Sequence, residues 1–83
     1  MDNIPPWSDL AKSVKPGRYQ HFKGGYYQLL KVARHSETGE EMAVYQSEKY
    51  PDRVWARPLP MFCDKVRRAD YEGPRFRPIG AAD

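Results

Sequence analysis

Eight prolines and six glycines are spread through a chain of 83 residues, and they decide most of what the chain can become. Proline removes a backbone donor and clashes with the preceding helical turn, and glycine weakens a helix interior. Punctuated this often, the sequence has no room for a helical bundle, and what fits between the breaks is a series of short strands and turns. A chain of this length makes one domain with one small core and a thin margin of stability. A single cysteine, Cys63, excludes an internal disulfide and a multi-thiolate metal site within one chain, so packing alone must hold the fold.

The segments divide as follows. Residues 1–16 read as an arm, in which Trp7 and Leu10, three apart, share a face that docks on the body. Residues 17–79 form the single β domain and 80–83 a tail. Arg18 to Lys23 reads as a strand with Tyr19 turned outward beside His21 and Phe22 inward. Gly24-Gly25 reads as a two-residue hairpin turn, which sets residue i opposite 49 − i and places His21 across from Gln28. In the long run Tyr26 to Arg34, Leu29 and Leu30 cannot face one side of a regular strand, so a bulge is expected there. His35 to Glu40 is a polar turn, and Glu41 to Gln46 a central strand. Val54 to Arg57 alternates, with Trp55 and Arg57 on one face. Pro60 to Asp64 makes a helical turn that drops Phe62 or Met61 as a plug into the core. A last hairpin joins Lys65–Arg68 to Arg75–Pro78 around Glu72-Gly73-Pro74. The sum is a mainly β fold: a small, strongly bent antiparallel barrel of five or six strands.

The quoted pieces PGRYQHFKG (16–24), HSETGE (35–40), AVYQ (43–46), WARPLPMF (55–62) and Arg75-Phe76 resemble a family of short bacterial proteins known as domain of unknown function 1653. The likeness runs from Pro16 to about Arg77. It implies a Src-homology-3-like barrel in a free-standing bacterial protein and carries no assigned reaction.

Function has to be read from side chains. Six tyrosines, two tryptophans and three phenylalanines exceed what so small a core can bury, each ring accounting for roughly 150–250 Å². Some rings must lie outside. Tyr27, Tyr45 and Trp55 fall on successive strands, and Arg57 shares the face of Trp55. Together they make a platform of rings edged by charge, the leading ligand-binding candidate, with His21, Lys23, His35 and Glu37 as secondary ones. The competing reading buries those rings under the arm, with Trp7 lying on Tyr27 or Trp55.

Charge supplies the alternative. The formal balance is +3, with an acidic centre between basic flanks, and Lys65, Arg67, Arg68, Arg75 and Arg77 put five cations on the last hairpin. Those residues suit a single-stranded nucleic acid, cations on phosphates and rings on bases. His35-Ser36-Glu37 holds base, hydroxyl and carboxylate in succession, yet neighbours on a chain seldom converge as a catalytic relay. A turn in which Ser36 and Thr38 cap backbone donors and His35 bonds a carbonyl explains them better. His21 and His35 have no metal-binding spacing. The expectation is therefore a non-enzymatic, monomeric binding module with no cofactor and no metal, taking a peptide, a protein surface or a small ligand. With no apolar run long enough to span a membrane and no signal-peptide pattern at the N-terminus, a cytoplasmic protein is expected.

Overall fold

The computed structural model describes residues 5–79; the expected tail and the first four residues of the arm lie outside them. Pro5 and Pro6 hold the entering chain extended until Ser8 caps a short helix, α1 (Asp9–Ser13). The Ser8 hydroxyl accepts the Ala11 N–H at 3.0 Å and donates to the Glu41 carboxylate at 2.6 Å, while the Ser8 N–H donates to the same carboxylate at 2.8 Å. Seven strands follow: β1 (Gly17–His21), β2 (Tyr26–Arg34), β3 (Glu41–Ser47), β4 (Val54–Pro58), β5 (Lys65–Arg68), β6 (Tyr71–Pro74) and β7 (Phe76–Pro78), with a second short helix, α2 (Leu59–Phe62), between β4 and β5. Five strands form one antiparallel sheet in the order β4-β3-β2-β1-β7, and β5 pairs only with β6. Among the described residues no helix is long and apolar enough to cross a membrane.

The mainly β, strongly bent antiparallel character expected from the sequence is present, with seven strands in place of five or six. The tube does not close: the large sheet ends at β4 on one side and at the three-residue β7 on the other. Prolines contribute to this, because Pro58 ends β4 with Pro60 just beyond it, and Pro78 at the end of β7 has no N–H to give to a ladder. The bulge appears where expected. The β2–β3 register shifts between Leu29 and Lys31, leaving Leu29 2% exposed in the core and Leu30 41% exposed outside it.

Three expectations need correction. Tyr19 pairs with Tyr27 and Gln20 with Tyr26, so residue i opposes 46 − i and the turn at the glycines has three residues, Phe22-Lys23-Gly24. The His21 N–H donates to the Gly25 carbonyl at 2.7 Å, and Gly24 takes a φ of 110°, which only glycine adopts readily. This register turns Tyr19 into the core, places His21 on the same face and leaves Phe22 half-buried in the turn. The last hairpin is also different: Lys65 pairs with Pro74 and Arg68 with Tyr71 around Ala69-Asp70, while Phe76 returns to pair with His21. Finally, Trp7 and Leu10 are only partly covered, at 42% and 37% exposed, and Ala11 and Val14 are the arm residues packed against the core. The Arg34 guanidinium lies over the Trp7 ring, 4.6 Å from its centre, and among the described residues Trp7 makes no ring contact with Tyr27 or Trp55.

The plug is Phe62, 2% exposed, whereas Met61 is 53% exposed. Proline in the first turn of α2 costs no helical hydrogen bond, and α2 carries Leu59 and Phe62 inward beneath β3 and β4. Phe62 stacks on Phe76 with ring centres 4.3 Å apart and meets Tyr19 and Tyr45 at 5.3 Å each. Rings in these edge-on and offset arrangements attract beyond the area they bury.

Candidate functional site

Alternation along the strands gives the large sheet a concave inner face. Tyr19 and His21 lie on it from β1, Tyr27 and Leu29 from β2, Ala43 and Tyr45 from β3, and Trp55 and Arg57 from β4, because Tyr45 pairs with Trp55 and Ala43 with Arg57. Near β4 this face opens into a cavity of about 230 Å³ lined by His21, Tyr27, Tyr45, Trp55, Arg57 and Phe76. All four leading sequence candidates are thus brought together, and His21 with them. The arm sits elsewhere, and Trp55 stays 47% exposed, so nothing in the described chain roofs the cavity over.

Phe76 joins cavity to core. Its ring lies 4.8 Å from His21, 5.6 Å from Tyr27 and 5.3 Å from Tyr45, each contact edge-on, with Phe62 stacked against it. Tyr27 and Tyr45 meet at 5.6 Å. Five mutually braced rings make a rigid wall. Phe76 was absent from the sequence candidates, because its place depends on the return of β7 to β1, and a three-residue strand at the chain's end carries almost no periodic signal.

The polar groups of the cavity are mostly donors. The His21 Nδ1 accepts the Lys23 N–H at 3.1 Å, which leaves the ring proton of the neutral tautomer on Nε2. Burial holds the His21 pKa below the ordinary imidazole value, and the positive charges of Arg75, Arg57 and Lys23 lower it further. Burial raises the pKa of the Tyr45 hydroxyl, an effect that Arg57 opposes and Tyr27 reinforces; the phenol stays protonated. Arg57 is half-buried, with its guanidinium carbon 6.0 Å from the Phe76 ring centre. No carboxylate lines the cavity.

The remaining secondary candidates, Lys23, His35 and Glu37, fall outside the cavity. His35 and Glu37 lie in the exposed β2–β3 turn, where the His35 Nδ1 accepts the N–H groups of Glu37 and Thr38 at 3.0 and 3.3 Å. The His35 ring therefore bonds amides and not a carbonyl. Ser36 does not cap the backbone but donates to the Glu37 carboxylate at 3.0 Å, so hydroxyl and imidazole are not coupled; Thr38 does cap, accepting the Glu40 N–H. Lys23 stands over the Phe22 ring at 5.8 Å. Among the described residues no three His, Cys, Asp or Glu side chains gather as a metal site.

The five cations near the chain's end do not make one surface. Arg75 pairs with Asp64 through two bonds of 2.7 and 3.3 Å, Arg67 approaches Glu72 at 3.7 Å, and Arg77 donates to the Gln20 side chain at 2.6 Å. Lys65 and Arg68 are exposed on β5. Arg68 and Arg75 nevertheless join Lys23 around Phe22, at 5.2 and 5.9 Å from its ring centre, with Tyr71 stacked on the same ring at 5.8 Å.

Comparison with known proteins gives two findings. The family described as protein of unknown function (DUF1653) matches residues 17–78. Among solved structures, the crystal structure of a DUF1653 protein from Bordetella bronchiseptica is similar, with a TM-score of 0.75 and 30% sequence identity over 88% of this chain and 96% of that one. No curated protein matches the sequence.

Proposed function

The chain belongs to the DUF1653 family of unknown function, and from that starting point we propose that it is a non-catalytic binding module whose ligand enters the ring-walled cavity on the inner face of the large sheet. The observation behind this reading is the convergence of Tyr27, Tyr45, Trp55 and Arg57, from three strands, on one open cavity. Concave sites walled by aromatic side chains with a few placed polar groups are where small ligands and peptide side chains bind. The braced rings support it as well, since a wall that is already fixed loses little entropy when a ligand arrives.

The test is a titration of isotope-labelled protein with a panel of small aromatic and aliphatic compounds and short peptides, read by backbone amide shifts. Binders should move the amides of Tyr27, Tyr45, Trp55 and Arg57 together. Trp55→Ala should weaken them about tenfold or more while circular dichroism and melting temperature stay unchanged. Binders that gather on another face, or that ignore Trp55→Ala, would refute the reading.

A second reading, single-stranded nucleic acid bound at the β5–β6 hairpin, is favoured by one observation: Phe22 and Tyr71 offer stacked rings among Lys23, Arg68 and Arg75. An oligonucleotide titration at low salt decides it, a flat response ending the idea.

A further inference from the structure

Building on the cavity reading above, we infer that the ligand is a small planar carboxylate, with its ring held among Tyr27, Tyr45 and Trp55 and its carboxylate on Arg57. Three observations on the cavity point to this class.

The first is the state of Arg57. Four other arginines have found their anion or acceptor: Arg18 grips Glu48 at 2.9 and 3.0 Å, Arg75 grips Asp64, Arg34 donates to backbone carbonyls, and Arg77 reaches Gln20; Arg53 and Arg68, which have no such partner, are exposed to water. Arg57 is half-buried against Phe76, and among the described residues it has no ion-pair or hydrogen-bond partner. A guanidinium partly withdrawn from water and lacking an acceptor gains most from a planar anion that its fork can hold by two parallel bonds.

The second is the one-sidedness of the polar lining. Besides Arg57, the polar residues of the lining are Tyr27, Tyr45 and His21, with no carboxylate among them. Neither tyrosine hydroxyl has a hydrogen-bond partner among the described residues, and neither is a buried orphan, so each keeps an unused donor. A cationic ligand could be drawn to the ring faces, but it would meet the fixed positive charge of Arg57 with no carboxylate in the lining to offset it. The lining carries one fixed charge, which matches a single carboxylate better than a phosphate dianion.

The third is size and shape. At about 230 Å³ the cavity falls below the roughly 300–1,000 Å³ of sites for drug-sized ligands. It has room for one or two fused rings with a short acidic substituent, and its walls present aromatic faces and edges suited to stacking such a ring.

The probes are 2-naphthoate and its neutral isostere 2-naphthamide, titrated separately into the full chain at pH 7.5 and followed by backbone amide shifts. The acid should bind at least tenfold more tightly than the amide, and its shifts should centre on Tyr45, Trp55 and Arg57. Arg57→Gln should weaken the acid about tenfold and leave the amide as it was, closing the gap between them. Arg57→Lys, which keeps the charge without the fork, should fall between and serves if the glutamine variant folds poorly. Equal affinity for acid and amide in the wild type overturns the carboxylate inference while leaving an aromatic binding site in place. An acid preference that survives Arg57→Gln overturns it also. Failure of both compounds to bind at millimolar concentration overturns it as well, and the binding-module reading is then judged on its own wider panel.

Discussion

His21 shows how one residue's surroundings set its chemistry. Its ring is wedged between Phe22 at 4.6 Å and Phe76 at 4.8 Å, and burial together with three neighbouring cations keeps it neutral. A base whose folded pKa is depressed takes up its proton first in the unfolded chain, so the contribution of this site to stability is present above the unfolded value of about 6.5. It is lost as the pH falls through that value toward the lower, folded one. The urea midpoint should therefore drop between pH 7.5 and 5.5 by more in the wild type than in His21→Asn, whose side-chain oxygen can still accept the Lys23 N–H. Parallel declines in the two proteins would show that His21 is not responsible. Much of the cavity was legible at this scale: strict alternation put Trp55 and Arg57 on one face, and the aromatic surplus forced rings outward. The roles of His21 and Phe76 were not, because they depend on which strands meet.

What the sequence hides at the level of elements is mostly turn length. Gly24 and Gly25 look equivalent on paper, and a two-residue turn uses both, yet only Gly24 has positive φ in the structure. The three-residue turn moves the β1–β2 register by three places, and an odd shift exchanges the two faces of a strand. That single difference turns Tyr19 inward. Gly73 misled for another reason. It stands between turn-forming neighbours, but its role is to give room: a β-carbon there would lie 2.8 Å from the Tyr71 hydroxyl, which donates to the Pro74 carbonyl at 2.8 Å. By contrast the bulge at Leu29-Leu30 was readable, since two adjacent leucines leave few arrangements, and the proline-led turn narrowed the plug to Phe62 or Met61, of which the structure buries Phe62. Gly24→Ala should cost about 1–3 kcal/mol through backbone strain. Gly25→Ala, whose φ is ordinary and whose new methyl would need the Tyr27 ring edge at 3.3 Å to give by only a few tenths of an ångström, should cost less. Chemical denaturation of the two variants checks the order, and equal losses would contradict the assignment of the turn.

An open sheet of five strands needs something to cover its inner face, and at the scale of the whole molecule α2 does this with Leu59 and Phe62. The hairpin of β5 and β6 is tied in separately, by the Asp64–Arg75 ion pair, by the Arg75 N–H donating to the Asp64 carbonyl at 3.0 Å and by the Phe22 N–H donating to the Arg75 carbonyl at 2.9 Å. Because Phe62 stacks on Phe76, and Phe76 is also a wall of the cavity, core and site share one ring. Stability and binding should therefore fail together when that stack is removed. Truncating a buried phenylalanine to alanine costs about 3–5 kcal/mol, against a total of about 5–15 kcal/mol for ordinary domains and the lower end of that range for one this small. Phe62→Ala should accordingly lower the urea midpoint by half or more and weaken any ligand held at Trp55, whereas Met61→Ala, one residue away on the exposed side of the same turn, should stay within about 0.5 kcal/mol of wild type. Phe62→Leu, keeping most of the volume but none of the stacking, separates the two effects. If it retains most of the stability yet binds as poorly as Phe62→Ala, the position of Phe76 governs the cavity; if it binds like wild type, bulk beneath Phe76 is sufficient and the ring itself is not required.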